Sequence, residues 1–101
     1  MPKLYEYFGL VVLFYSNEHD PVHVHGLYQG RECRADFTIV DGKVVEVEFL
    51  SVKGRRPLEA AQLSDFRLLV NHYADDIVRK WIDYFVMHKS IQSERIDRRL
   101  R

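Results

Sequence analysis

Apolar and polar positions follow two different periods along this chain. Up to about residue 52 they alternate residue by residue or run together in short blocks; from about residue 57 they recur every three or four. Period two marks strands and period 3.6 marks helices. Strands first and helices second is the order of an α+β fold. The first block, Phe8 to Tyr15, is apolar on both faces and predicts one strand, either central in a sheet or part of a subunit interface. Asn17, Asp20 and Pro21 then supply turn chemistry. A second strand is predicted over Val22 to Tyr28, with Gln29-Gly30 as a two-residue hairpin loop. The third, Arg31 to Val40, alternates Cys33, Ala35, Phe37 and Ile39 against Glu32, Arg34, Asp36 and Thr38. Asp41-Gly42 is the strongest hairpin signal, and the fourth strand, Lys43 to Leu50, sets Val45, Val47 and Phe49 against Glu46 and Glu48.

The same pattern predicts registers. With Gln29-Gly30 as the loop, Val24 opposes Ala35, Val22 opposes Phe37, His23 opposes Asp36 and His25 opposes Arg34. A plain two-residue loop at Asp41-Gly42 would set Phe37 opposite Glu46, on the wrong face. A three-residue loop, Val40-Asp41-Gly42, repairs this and pairs Phe37 with Val45, Ala35 with Val47, Cys33 with Phe49, Arg34 with Glu48 and Asp36 with Glu46.

Pro57 is suited to open a helix. Leu63, Phe66, Leu69, Val70 and Tyr73 form one apolar stripe, and Ile77, Trp81, Tyr84, Phe85 and His88 form a second after a restart at Ala74-Asp75-Asp76. Both helices are expected on one face of a roughly four-stranded, mainly antiparallel sheet, over Phe37, Val45, Val47 and Phe49. A single domain over residues 1–101 is expected, with the sheet at about 8–50, helices at about 57–88 and a charged tail at 89–101.

Composition narrows the function classes. The formal net charge is zero, which argues against a uniformly basic nucleic-acid surface, although Lys53, Arg55 and Arg56 form a local basic cluster that would suit a phosphate backbone. One cysteine, Cys33, cannot form an internal disulfide, which favours a reducing cytoplasm. The apolar run at 8–15 is too short to span a membrane.

The chemistry concentrates in HDPVHVH, residues 19 to 25, which holds three of the five histidines. His23 and His25 lie two apart on a strand and share a face, with Cα atoms about 7 Å apart. Joined by His19, they would leave a fourth position open on zinc. Two of them with Asp36 or Glu46 would suit iron or manganese. The same residues without metal would serve as acid and base, because histidine titrates near neutrality, with Arg34 steadying a phosphate as in RNA cleavage. The plain alternative is a wetted sheet face, on which His23–Asp36 and Arg34–Glu48 are cross-strand pairs worth under about 1 kcal/mol each.

Phe8-Gly9-Leu10-Val11-Val12, followed by a polar turn and His19-Asp20-Pro21-Val22-His23-Val24-His25, resembles a bacterial family of small proteins, domain of unknown function 4160. Its members typically carry H-[DN]-P-P-H-F-H; here Val22 and Val24 stand at the second proline and the phenylalanine. Val70 to Ile77 and Trp81 resemble the family's helical end more loosely. The family's gene arrangement implies a toxin–antitoxin-like pair, hence a small partner protein and, more weakly, a nucleic-acid substrate. Two other readings stay open: a non-enzymatic interaction module, in which the first strand and the tail recruit a partner or a second copy, a homodimer then forming through the first strand or the helices, and a metal-dependent enzyme acting on a small molecule.

Overall fold

The computed structural model describes residues 2–15 and 22–100. Five strands come first, namely β1 (Lys3–Tyr7), β2 (Leu10–Leu13), β3 (His23–Tyr28), β4 (Arg31–Val40) and β5 (Lys43–Ser51). Helices α1 (Ala60–His72) and α2 (Ala74–Phe85) follow, and a short strand β6 (Glu94–Ile96) ends the order. The architecture is α+β, but the sheet has six strands rather than four, in the order β5-β4-β3-β2-β1-β6. Strands β1 to β5 pair antiparallel in chain order, and β6 pairs parallel with β1.

The two extra strands come from segments that pattern alone misreads. The predicted strand over Phe8 to Tyr15 is in fact the second arm of a hairpin that turns at Phe8-Gly9. Phe8 has φ 48° and Gly9 φ 90°, the same left-handed pair found at Gln29-Gly30 (47°, 79°) and Asp41-Gly42 (52°, 78°). A two-residue turn with both central residues at positive φ matches the twist of the strands it joins. Gly supplies its half of that conformation without steric cost; Phe8 does not, and a bulky residue there is uncommon. The Phe8 ring lies 5.0 Å from that of Tyr7, and the Arg99 guanidinium sits 4.2 Å over it. The charged tail gains its three-residue strand by laying Glu94–Ile96 beside β1.

The β3–β4 register agrees with the predicted one: His23 opposes Asp36, Val24 opposes Ala35 and His25 opposes Arg34. The β4–β5 register corrects it. Asp41-Gly42 is a two-residue loop after all, pairing Val40 with Lys43 and Ile39 with Val44. The ladder shifts between Thr38 and Ile39, so Thr38 opposes Glu46, Phe37 opposes Val47, Asp36 opposes Glu48 and Ala35 opposes Phe49. An extra residue in the strand, a β-bulge, restores the faces that a longer loop would have restored. The extra residue is Val45, which is 60% exposed instead of packing on the helices, while Val44 packs against the core.

Both helices cover the face that carries Tyr5, Tyr7, Leu10, Val12, Phe14, Val24, Ala35 and Phe37, and they bury Phe66, Leu69, Val70, Ile77 and Trp81 against it. Phe66 lies directly over Gly26, where an added Cβ would lie 2.7 Å from the Phe66 ring. Helix α1 begins at Ala60, with Pro57 ahead of it rather than inside it. His88, expected at the edge of the helical core, is exposed, past the end of α2, and at φ 56°. At the rim of this packed face, the Tyr5 hydroxyl donates to Asp76, which also pairs with Lys80 at 3.3 Å. Burial and the hydrogen bond to that carboxylate push the Tyr5 hydroxyl well above the usual tyrosine range. Burial works against the Asp76 carboxylate, but the Tyr5 hydroxyl and the Lys80 ammonium outweigh it and hold its pKa below the usual range.

Candidate functional site

The histidines occupy the opposite face of the sheet. Alternation along β3 turns Val24 and Gly26 toward the helices, so His23 and His25 point away from them. Two strands frame them. On β2, Leu13 opposes His25, and Tyr15 follows two residues later on the same face. On β4, Glu32, Arg34 and Asp36 alternate with the core residues Cys33, Ala35 and Phe37. The expectation of a wetted face holds at Glu46 and Glu48, which are exposed, and is corrected at the histidines: His23 and His25 are each only 5% exposed, beside Glu32 at 2%.

A buried carboxylate must be paired or hydrogen-bonded, because desolvation penalises its charge. Glu32 is held from several sides. Its Oε2 lies 2.9 Å from His25 Nδ1 and accepts from the Tyr15 hydroxyl at 3.0 Å. Its Oε1 lies 3.3 Å from Arg55 Nε. Its backbone N–H donates to the Arg56 carbonyl at 2.8 Å. Two more contacts fix the segment that supplies Arg55 to the start of β4: Arg31 donates to the Pro57 carbonyl at 3.2 Å, and the Leu58 N–H to Cys33 Sγ at 3.3 Å.

This geometry constrains the chemistry of His25. A carboxylate in its ionised form accepts hydrogen bonds and cannot donate, so facing one, Nδ1 is the ring nitrogen that holds a proton, and Nε2 is the one turned away from Glu32. A carboxylate in that position fixes both tautomer and ring orientation, in acid–base dyads and in metal sites alike. The His25 ring is packed edge-on against Tyr15 at 4.4 Å and against His23 at 5.2 Å between centroids.

Among the predicted site residues, His23, His25, Arg34 and Asp36 are brought together on neighbouring positions of β3 and β4. Arg34 does not pair with Glu48: it opposes Leu50 and forks onto Asp36, with bonds of 2.7 and 2.9 Å. Glu46 opposes Thr38 on β5, is exposed, and stands apart from the histidines. His19 lies outside the described residues. All three residues of the basic cluster are exposed, and Arg55, with its side chain still 45% exposed, reaches Glu32. Among the described residues no group of three His, Cys, Asp or Glu side chains is placed to hold a metal ion.

Glu32 and Tyr15 are functional candidates that sequence reasoning missed. The signal for Glu32 was present. Once His25 opposes Arg34, Glu32 is its diagonal neighbour on the same face, within reach of a long side chain. Tyr15 could be placed only with the β2–β3 register, which no hairpin turn specifies.

Fold and site together define a small α+β protein with a histidine–carboxylate cluster buried on the helix-free face of its sheet. The chain belongs to the family described as a domain of unknown function, DUF4160, which matches residues 9–82. The matched span holds β2 to β5, α1 and most of α2, and therefore the whole cluster; β1 and β6 fall outside it. No curated protein and no solved structure matches the chain.

Proposed function

We propose that this chain is one member of a toxin–antitoxin-like pair whose histidine box is an acid–base site, with a phosphodiester as its substrate class. His25 is the general base and acid, Glu32 orients it, and His23 is the second imidazole. Arg34, together with Lys53 and Arg56 on the adjoining segment, supplies positive charge for the phosphate. The observation that carries the acid–base reading is the buried His25 Nδ1–Glu32 Oε2 contact at 2.9 Å. A solvated surface pair needs no such burial, and a purely apolar sheet face needs no imidazole. The pairing with a partner protein rests on the family resemblance carried by the histidine box.

Expression in a bacterial host tests it. Wild-type protein is expected to arrest growth and cleave single-stranded RNA in purified form, and both effects should be lost in His25→Ala and strongly reduced in Glu32→Gln. Arrest that survives His25→Ala sinks the acid–base reading.

A second reading places a divalent metal (zinc, iron or manganese) on the same residues. It is favoured by the 5.2 Å spacing of the His23 and His25 rings, which suits two imidazoles sharing one tetrahedral ion. Glu32 would then hold His25 from behind, and His19 would be the third ligand. Elemental analysis of untagged protein separates the two: a stoichiometric metal lost in His23→Ala favours this second reading, and metal-free active protein favours the first.

A further inference from the structure

The two edges of the sheet are treated differently. At one edge the chain lays its own β6 along β1. At the other, nine-residue β5 pairs with β4 on its inner side, and among the described residues nothing pairs with its outer side. An open strand edge presents unpaired N–H and C=O groups to any extended segment. Proline, a usual guard, is absent from β5, and its bulge lies near one end, leaving Glu46 to Ser51 as a regular edge.

The two faces flanking that edge have opposite character. On the helix side, Val47 and Phe49 stand half-buried along the regular edge, and at its hairpin end β5 borders with α2 a groove of about 360 Å³ lined by Lys43, Val44, Asp75, Val78, Arg79 and Ile82. On the other side, Glu46 and Glu48 stand exposed on alternate positions, and among the described residues neither enters an ion pair; the nearest cation on β4, Arg34, is forked onto Asp36. A second copy is a poor occupant. Antiparallel pairing of β5 with itself, in the registers of greatest overlap, sets Glu46 or Glu48 opposite a copy's glutamate, and like charges directly opposed are destabilising.

We propose that the outer edge of β5 is a docking edge for a strand of a different protein, one that alternates lysine or arginine with apolar residues. Its backbone extends the sheet, its apolar face lies beside Val47 and Phe49 and reaches the groove at the hairpin end, and its basic face meets Glu46 and Glu48. Backbone pairing supplies affinity in such strand addition, and the alternating side chains supply specificity. The edge shares the helix-free face with the histidine cluster, where Glu48 opposes Asp36, but uses none of Glu32, His23 or His25.

The test uses the full chain, labelled with ¹⁵N, and three nine-residue peptides: alternating lysine–valine, alternating glutamate–valine, and a lysine–valine peptide of the same composition in two blocks. The alternating lysine–valine peptide is expected to shift amide signals of residues 43–51, and its affinity should fall as salt rises. In Glu46→Lys/Glu48→Lys, with an unchanged circular dichroism spectrum, that peptide should bind at least tenfold more weakly and the glutamate–valine peptide should gain binding. The proposal is overturned if the block peptide shifts the same signals equally, if the shifts fall elsewhere, if charge reversal changes nothing, or if the wild-type protein dimerises through β5.

Discussion

The two faces of the sheet solve burial in different ways. The helix-covered face is closed by aliphatic and aromatic side chains, and a polar lock, Tyr5 with Asp76 and Lys80, sits at its rim. The opposite face buries its polar groups in the middle, around Glu32, with His25, Tyr15 and Arg55 as partners. Apolar residues tolerate one another in many arrangements, so the first face fails gradually as contacts are removed. A buried carboxylate among imidazole, phenol and guanidinium is stable only while its partners are present, so the second face behaves as a unit.

Several measurements would break or sharpen this contrast. The largest effect belongs to the helix-covered face: Phe66→Ala should cost about 3–5 kcal/mol in urea denaturation. Gly26→Ala, which drives a methyl group into the same ring, should cost about 1–3 kcal/mol alone and much less in a Phe66→Leu background, because the two sites share the space. Additive costs would mean that the ring and the glycine are not coupled.

On the histidine face, Glu32→Ala should destabilise by about 1–3 kcal/mol, the cost of leaving buried partners unsatisfied. Its effect on stability should combine non-additively with Tyr15→Phe and His25→Ala in double-mutant cycles. Independent, additive losses would show that Glu32 is not the hub of one network.

The rim lock should appear as pH dependence. The folded-state pKa of Asp76 is depressed, so its contribution is complete above the unfolded value near ~4 and is lost as pH falls through the folded value. The hydroxyl of Tyr5 is shifted upward, so its contribution is complete below about pH 10 and declines as pH rises beyond that. Urea midpoints measured across pH should show both limbs in the wild type; Tyr5→Phe should abolish the alkaline limb and weaken the acid one. An unchanged alkaline limb would remove Tyr5 from the account.

The smallest effect is expected at Trp81, whose buried indole N–H has no hydrogen-bond partner among the described residues. Trp81→Phe should stay within about 1 kcal/mol of wild type in thermal denaturation, since lost packing is offset by removal of an unsatisfied donor. A loss of several kcal/mol would show that the indole N–H is satisfied after all.

How legible each face was follows from the same physics. The β3–β4 pairing could be read because a two-residue loop and strict alternation leave one register that keeps Val24 and Ala35 together. The β4–β5 faces were legible but the partners were not, since a bulge at Val45 and a longer turn satisfy the same alternation. β1 was missed because the predicted strand starts at Phe8 and leaves Tyr5 and Tyr7 unassigned: the Phe8-Gly9 turn is hard to read where phenylalanine takes a conformation usually left to glycine, asparagine or aspartate. β6 carries almost no local signal, because its three residues lie along β1 and their ion pairs, Glu94 with Lys80 and Arg95 with Glu6, reach distant parts of the chain. The histidines were visible as a cluster. Their burial was not, because it depends on Glu32, Tyr15 and the segment carrying Arg55, contributed from three different places in the chain.

The ordering of the strands also sets a sequence of events in time. Three hairpins closed by tight turns, at Phe8-Gly9, Gln29-Gly30 and Asp41-Gly42, pair segments that are close in the chain, so each can zip early at little loop-closure cost. The parallel β1–β6 ladder joins positions 89 residues apart, as in the Arg95–Glu6 contact, and has nothing to nucleate on until the rest has formed. Contacts made after the folding barrier govern how fast the native state is left rather than how fast it is reached. The C-terminal strap should therefore act as a brake on unfolding: loosening Lys80–Glu94 or Arg99–Asp65 is expected to raise the unfolding rate more than it lowers the folding rate, as read from the two arms of a urea chevron.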